Sequence, residues 1–351
     1  MVSLFIIYGC SSKEHTKTQG IEVIRMDVVQ INDKMDQAQL IYGAFDAVDD
    51  ELGIVYGIDY RKRLPYRLSL KTGEFQFLSS TGSGPKELRL PSQLSMKDSS
   101  EFYVYDTNLD KVARFVNDEL IEKTEGFLKH NVWLRNPKGY YWNHHIITAI
   151  KEPENVNVLD FENARPIAML NLSDSTLTKH GKFSSTIDHL DQFNKYPMIV
   201  LSREEEAVYY VFYTDYSIMK YDIKRDTTYT ASTYRPSKMR ERTVPVDPDN
   251  PDIYSMARIY GLDISQVVDI VLMNQQLVVV WYNATDAYYD NRSYSPEHLI
   301  FFGVVYDLPD LSNPREFTLP GKFLGTWGNR LLIEENDDVM EYTIGFYEFV
   351  E

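Results

Sequence analysis

Past residue 20 the chain alternates short apolar runs with tight polar turns, and no stretch sustains a helical period. FYVYDTNLDKVARF, starting at Phe102, shows the unit: an aromatic-rich run, an aspartate and polar turn, then a second run. The unit returns as VYYVFYTDYSIMKYDI from Val208. Weaker copies are QLVVVWYN from Gln276, followed by HLIFFGVVYD from His298, and RLLIEENDDVMEYTIGF from Arg330. Around the first copy the pattern predicts strands over Leu40–Ala47, Gly53–Ile58, Tyr66–Leu70 and Glu74–Leu78. Charged Asp59–Leu64 and Lys71-Thr72-Gly73 form two of the turns between them. Four short antiparallel strands with tight turns make one propeller blade. Gly139–Leu172 must supply one further copy, of unresolved register.

The polar residue closing the second strand of each copy serves as a marker: Asp59, Asp106, Asp215, Asn283 and Glu335. Their separations are 47, 109, 68 and 52 residues, and the second leaves room for the copy at Gly139–Leu172. A period of about 40 to 50 residues in an all-β chain is the mark of a propeller. Unrelated meanders in a sandwich would alternate in the same way, but would give no reason for this turn to recur. The expected fold is therefore an all-β, six-bladed β-propeller. Ile21–Ile31 is the unpaired strand available to join the last blade beside Val339–Val350, leaving no open edge at the closure.

Composition agrees, with 26 Tyr and 17 Phe among the side chains that pack on pleated surfaces. The 36 basic and 52 acidic residues give a formal charge of −16, which disfavours nucleic acid as a partner. The chain opens with an apolar run, Met1–Gly9, that meets Cys10, the only cysteine, and turns polar at once. Ile7-Tyr8-Gly9-Cys10 is similar to a bacterial lipobox, in which Cys10 would carry the lipid. A positively charged start, usual for such signals, is missing. Residues 1–20 are expected to be signal and tether, and 21–351 a single propeller domain. A mature body without thiols suits an envelope compartment.

GSGPKEL at Gly82–Leu88, then Pro91, Ser92 and the strand pair from Phe102, resembles the signature of the six-bladed, TolB-like propeller lipoproteins of Bacteroides-type bacteria. That resemblance implies a propeller anchored in the cell envelope, at the outer membrane, in a family without an established enzymatic activity.

The residues themselves offer little chemistry. Gly82-Ser83-Gly84-Pro85 lacks the Gly-Lys-Ser/Thr ending of a phosphate loop and reads as a turn anchored by Glu87. His144 and His145, taken as strand neighbours, point to opposite faces and cannot share a metal. Asp247, Asp249, Asn250 and Asp252 gather oxygen ligands that calcium favours, without the EF-hand spacing and with two prolines that suit a stiff loop. No catalytic residue and no cofactor is expected.

Blade topology puts the turn after each second strand on the same face as the link into the next blade. That places Arg61, Lys62, Arg63, Lys86, Arg89, Asn108, Asp215, Tyr216 and Glu335 on one face. Two long loops join them, Arg235–Tyr260 and Asn283–Glu297, the latter carrying Tyr288, Tyr289 and Tyr294. Long loops on a rigid scaffold commonly carry binding. The basic cluster suits a carboxylate or sulfate, and the tyrosines suit a sugar ring, a partner protein or packing within their own loop. The expectation is a lipid-anchored envelope module that binds a glycan or protein without catalysis. The alternative is a propeller enzyme acting on glycans, a lyase or hydrolase.

Overall fold

The computed structural model describes residues 20–31, 45–59, 62–127, 133–151, 163–186, 197–241, 253–290, 296–335 and 342–350. The strands, in chain order, are β1 (Glu22–Ile31), β2 (Ala47–Asp49), β3 (Ile54–Asp59), β4 (Leu64–Ser69), β5 (Phe75–Phe77), β6 (Ser80–Thr81), β7 (Glu87–Leu88), β8 (Pro91–Asp98) and β9 (Glu101–Asp106). There follow β10 (Lys111–Val116), β11 (Glu119–Glu125), β12 (Trp133–Trp142), β13 (His145–Lys151), β14 (Ile167–Asn171), β15 (Leu177–His180), β16 (Pro197–Ser202), β17 (Ala207–Phe212), β18 (Ile218–Asp222) and β19 (Thr227–Ser232). Helix α1 (Ile253–Asp263) precedes β20 (Gln266–Met273) and β21 (Gln276–Ala284), and helix α2 (Asp286–Tyr289) precedes β22 (Leu299–Asp307). The chain continues through β23 (Ser312–Thr318), β24 (Lys322–Trp327), β25 (Arg330–Glu334) and β26 (Tyr342–Val350).

These strands form meanders with the orders β2-β3-β4-β5, β8-β9-β10-β11, β12-β13-β14-β15, β16-β17-β18-β19 and β20-β21-β22-β23. The second and third are joined into one sheet by parallel pairing of β8 with β12, and β6 pairs with β7 apart from them. The last sheet runs β24-β25-β26-β1, in which Glu22 opposes Val350 and Ile31 opposes Tyr342. The first strands of successive meanders touch: β2 with β8, β8 with β12, β12 with β16, β16 with β20, β20 with β24, and β24 with β2.

Burial follows from the order within each meander. The second strands, such as β9 and β17, are buried at every position, because both faces are covered by neighbouring meanders. Their sequences EFYVYD and AVYYVF are correspondingly rich in aromatic and aliphatic side chains. Outer strands such as β11 (ELIEKTE) and β19 (TTYTAS) carry polar residues and are largely exposed. The core accordingly divides into layers between meanders. Tyr56, Leu94, Phe102 and Phe115 fill one, and Tyr105, Ile146 and Leu170 the next. Ile147, Tyr210 and Phe212 fill a third, and Tyr209, Trp281 and Tyr306 a fourth. Val280, Phe317 and Leu331 fill a fifth. In the layer between the last sheet and the first meander, Leu332 and Phe346 meet Val55 and Leu68. Each such side chain, fully buried, contributes about 1.5–3 kcal/mol of transfer free energy.

Three local expectations are corrected. The first strand of the first meander is Ala47–Asp49 and not Leu40–Ala47, whose residues before Phe45 lie outside the described set. Helix α1 occurs where no helical period was read, since its apolar residues IYSMARIYGLD are interrupted by polar ones at irregular spacing. Asn143 and His144 form the two-residue turn between β12 and β13, with φ of 45° and 63°, so the histidines are not strand neighbours.

Candidate ligand-binding site

Three of the five recurring polar markers, Asp106, Asp215 and Asn283, have a shared structural task. Asp106, fully buried at the end of β9, accepts hydrogen bonds from the Asn108 and Leu109 N–H groups of the following turn (3.1 Å each). It also accepts the N–H groups of Arg89 (2.6 Å) and Leu90 (3.2 Å), which lead into β8. Asp215 repeats the arrangement: it accepts the Tyr216 N–H at 2.8 Å and the hydroxyl of Thr186, in the link before β16, at 2.9 Å. Asn283 accepts from Ser265, next to β20, and donates Nδ2 to the Lys238 carbonyl at 2.9 Å. A short polar side chain here ties the end of a second strand to the link entering the same meander. The repeat in the sequence is the trace of that tie.

Arg63, Lys86, Arg89 and Asn108 are exposed, and Arg63 has φ of 57°. Glu87 accepts the Gly84 N–H at 2.8 Å, and Lys123 donates to the carbonyls of Gly84 (2.9 Å) and Glu87, so the glycine turn is held as a turn. Tyr216 is half-buried against the core layer around Tyr209 and Trp281. Glu335 lies just after β25, where it accepts from the Tyr347 hydroxyl and pairs with Arg25 of β1 at 2.8 Å. Arg61, Cys10, Tyr294 and the four oxygen ligands at 247–252 lie outside the described residues.

The two long loops meet. Arg258 of α1 donates to Asp286 Oδ1 of α2 at 2.8 Å and to Asp290 Oδ1 at 2.9 Å. Tyr289 seats its hydroxyl over Gly261, where an added Cβ would come within 1.6 Å of that oxygen. Tyr288 meets Tyr289 edge-on, with ring centroids 5.0 Å apart at 88°. Below them the hydroxyls of Tyr213 and Tyr282 both donate to Gln266 Oε1, and burial and then the neighbouring Tyr213 push the Tyr282 hydroxyl far up. Arg240 fastens this assembly from the link, donating to the carbonyls of Leu262 (2.9 Å) and Ala284 (3.1 Å). Of the alternatives for Tyr288 and Tyr289, both pack within their own loop assembly and remain half-exposed.

A second polar group, missed in the sequence, sits on the inner strands. Lys138 of β12 forms an ion pair with Asp269 of β20, with side chains only 9% and 5% exposed. Gln93 of β8 donates to the Lys138 carbonyl at 3.1 Å and to Thr148 Oγ1, and Ile270 N–H donates to Asp269 Oδ1 at 2.9 Å. Asp46, immediately before β2, is buried, and neither carboxylate oxygen accepts a hydrogen bond of good geometry. Burial pushes its carboxyl well above the usual carboxylate range; the Lys138 charge and the nearby Ile58 N–H oppose this, and Asp269 adds to it. Tyr140 is raised by burial first, and by the charges of Asp269 and Asp46. The sequence signal was a charge inside an apolar run, as in VVDIVLM and NPKGYY, or beside one in AFDAV.

No family model matches the chain, and neither does any curated protein. Among solved structures it is similar to a member of the DUF4221 family from Bacteroides vulgatus ATCC 8482, with a TM-score of 0.73 at 12% identity over 95% of this chain and 100% of that one. The fold is propeller-like. A Bacteroides fragilis NCTC 9343 protein whose name marks it as exported matches with a TM-score of 0.59 at 10% identity, over 94% of this chain and 96% of that one. The calcium-binding regucalcin from Agrobacterium tumefaciens C58 matches with a TM-score of 0.50 at 11% identity, over 91% and 93% of the two chains. Identities this low speak to architecture alone. Among the described residues, no helix is long and apolar enough to cross a membrane.

Proposed function

We propose that this chain is a lipid-anchored, six-bladed β-propeller of the bacterial cell envelope that acts as a non-catalytic binding or scaffolding module. The observation that carries the reading is the joining of two long loops, where Arg258 clamps α1 to Asp286 and Asp290 and Tyr288 and Tyr289 stay partly exposed. A preorganised loop surface of this kind recognises a ligand without itself reacting. The blade count draws support from the circle of contacts among first strands and from core layers between every successive pair of meanders. In this reading β1 closes the ring by completing the last blade.

The ligand is a glycan or an envelope protein, received by Arg61, Arg63, Lys86, Arg89, Asn108, Asp215, Tyr216, Tyr288, Tyr289 and Glu335. Asp215 and Glu335 act in it chiefly as supports, given the ties described above. No cofactor takes part, and the lipid on Cys10 holds the protein at the outer membrane. The test is metabolic labelling with an alkyne fatty acid in a Bacteroides-type host, combined with envelope fractionation. Wild type is expected to carry the label and to sediment with outer membranes, and Cys10→Ser to lose both properties. Equal membrane recovery of the two forms would overturn the anchoring.

A further inference from the structure

We propose that β1 is a self-association edge, at which a second copy of this chain lays its own β1 antiparallel about a two-fold axis at Met26. The inference does not rest on the loop-surface reading. β1 ends the sheet β24-β25-β26-β1, so among the described residues it has a strand neighbour on one side only. With ten residues it is the longest of the strands that end a meander or sheet on the outside. Its Ile24, Met26 and Val28 are 40%, 52% and 38% exposed, whereas β11 and β19 show one exposed large apolar side chain each, Ile121 and Tyr229, and β5, β15 and β23 show none. A long edge with exposed apolar side chains is a template for another strand.

The order of side chains along β1 selects the occupant. A two-fold antiparallel pairing sets one residue opposite its own copy, and the residues on either side of it opposite one another crosswise. Centred on Met26, the pairing sets Arg25 of each copy against Asp27 of the other, and Ile24 against Val28. Centring it on Arg25 or on Asp27 would put like charges face to face, which is destabilising. The Met26 register thus matches opposite charges twice and apolar side chains three times within five residues. A bilayer would instead desolvate the two charges that flank Met26.

The side chains are free to meet a second copy. Asp27 accepts the Val28 N–H at 2.8 Å and meets no cation among the described residues. Arg25 pairs with Glu335 at 2.8 Å, but its side chain is 49% exposed, and a guanidinium with five donors can take a second carboxylate. Met26 is passed over in the register of β1 with β26, at the irregularity between Arg25 and Asp27, so it has no opposite number in its own sheet. Met26 of the second copy supplies one, and both copies bend at the same point.

The experiment is sedimentation equilibrium of the full chain carrying Cys10→Ser, which leaves no native thiol. A monomer–dimer equilibrium with Kd of roughly 1–100 μM is expected, as for a small interface. Arg25→Asp and Asp27→Arg are each expected to weaken it about tenfold, by opposing like charges twice. An equimolar mixture of these two variants should form heterodimers at about wild-type strength, since every opposed pair is again of opposite charge; this rescue separates the interface from any effect on folding. In the same background Met26→Cys should oxidise to a disulfide-linked dimer, because directly opposed strand residues lie within disulfide reach, and Ile121→Cys should not. A monomer throughout the concentration range, charge variants that associate like the wild type, a mixture no stronger than its components, or equal cross-linking at positions 26 and 121 would each overturn the proposal. A monomer that binds phospholipid vesicles, and loses that binding with Met26→Lys, would overturn it in favour of the membrane.

Discussion

Replacing Lys138 by methionine keeps the length and apolar stem of the side chain and removes its charge. Asp269, 5% exposed at its side chain, then keeps only the Ile270 N–H among the partners described, and Asp46 loses the one cation opposing its burial. Removing one member of a buried pair typically costs about 3–5 kcal/mol, because the remaining charge stays desolvated. The unfolding entropy of a 351-residue chain near its midpoint is roughly 0.7 kcal/mol/K, so Lys138→Met is expected to lower Tm by about 4–7 °C. The double variant Lys138→Met/Asp269→Leu removes both charges and should recover much of that loss, since an apolar pair of similar volume is often as stable as the ion pair. Calorimetric scans of the wild type, both single variants and the double variant give the coupling directly. A single-variant loss under about 1 kcal/mol, or a double variant no more stable than Lys138→Met, would refute the assignment of a buried, mutually dependent pair.

Three further outcomes follow from the geometry. Burial alone would raise the Glu101 carboxyl, but hydrogen bonds from Arg114, Lys97 and Tyr103 outweigh it and hold it at about 2. A depressed folded-state value adds stability above the unfolded carboxyl range and loses it as pH falls, so the stability gap between wild type and Glu101→Gln should shrink between about pH 4.5 and 2 in acid denaturation; a pH-independent gap would contradict this. Asp106→Ala leaves four buried or turn N–H groups without their acceptor and should cost about 3 kcal/mol in urea unfolding, against under 1 kcal/mol if the tie between strand end and link carries no weight. Gly73 has φ of 71°, and a Cβ there would lie 2.3 Å from the Gln30 carbonyl oxygen of β1; Gly73→Ala should cost more than the roughly 1 kcal/mol of left-handed strain alone and raise hydrogen exchange in β1, and unchanged exchange there would argue against β1 packing beside this turn.

Strand pairs with an aspartate turn were legible because the feature that repeats in the sequence is the one that holds each meander. Asp106 and Asp215 tie the same two segments, the following turn and the entering link, in different meanders, Asp106 through backbone N–H groups and Asp215 through the Tyr216 N–H and the Thr186 hydroxyl, so a short acceptor leaves a periodic mark. The N-terminal strand could be recognised as unpaired locally, and its partner β26 lies at the other end of the chain. Helix α1 was not legible, because its residues are held by Arg240 and Tyr289 from other elements and not by an apolar stripe of its own. Nor was the group at Asp46, Lys138 and Asp269, since three isolated charges separated by 92 and 131 residues meet only once the inner strands are brought together. The loop-face residues were placed by topology, but the same reasoning could not distinguish exposed Arg63 and Lys86 from Asp215, which is spent on the turn.

Binding without turnover at the loop surface is tested by exposing the purified protein to immobilised and soluble envelope glycans and envelope proteins, then measuring retention and product masses together. Retention by at least one of these classes is expected, reduced by Arg63→Ala/Lys86→Ala or Tyr288→Ala/Tyr289→Ala, with every recovered glycan unchanged in mass. New glycan fragments, bearing either an added water or an unsaturated end, would identify an enzyme and contradict the account.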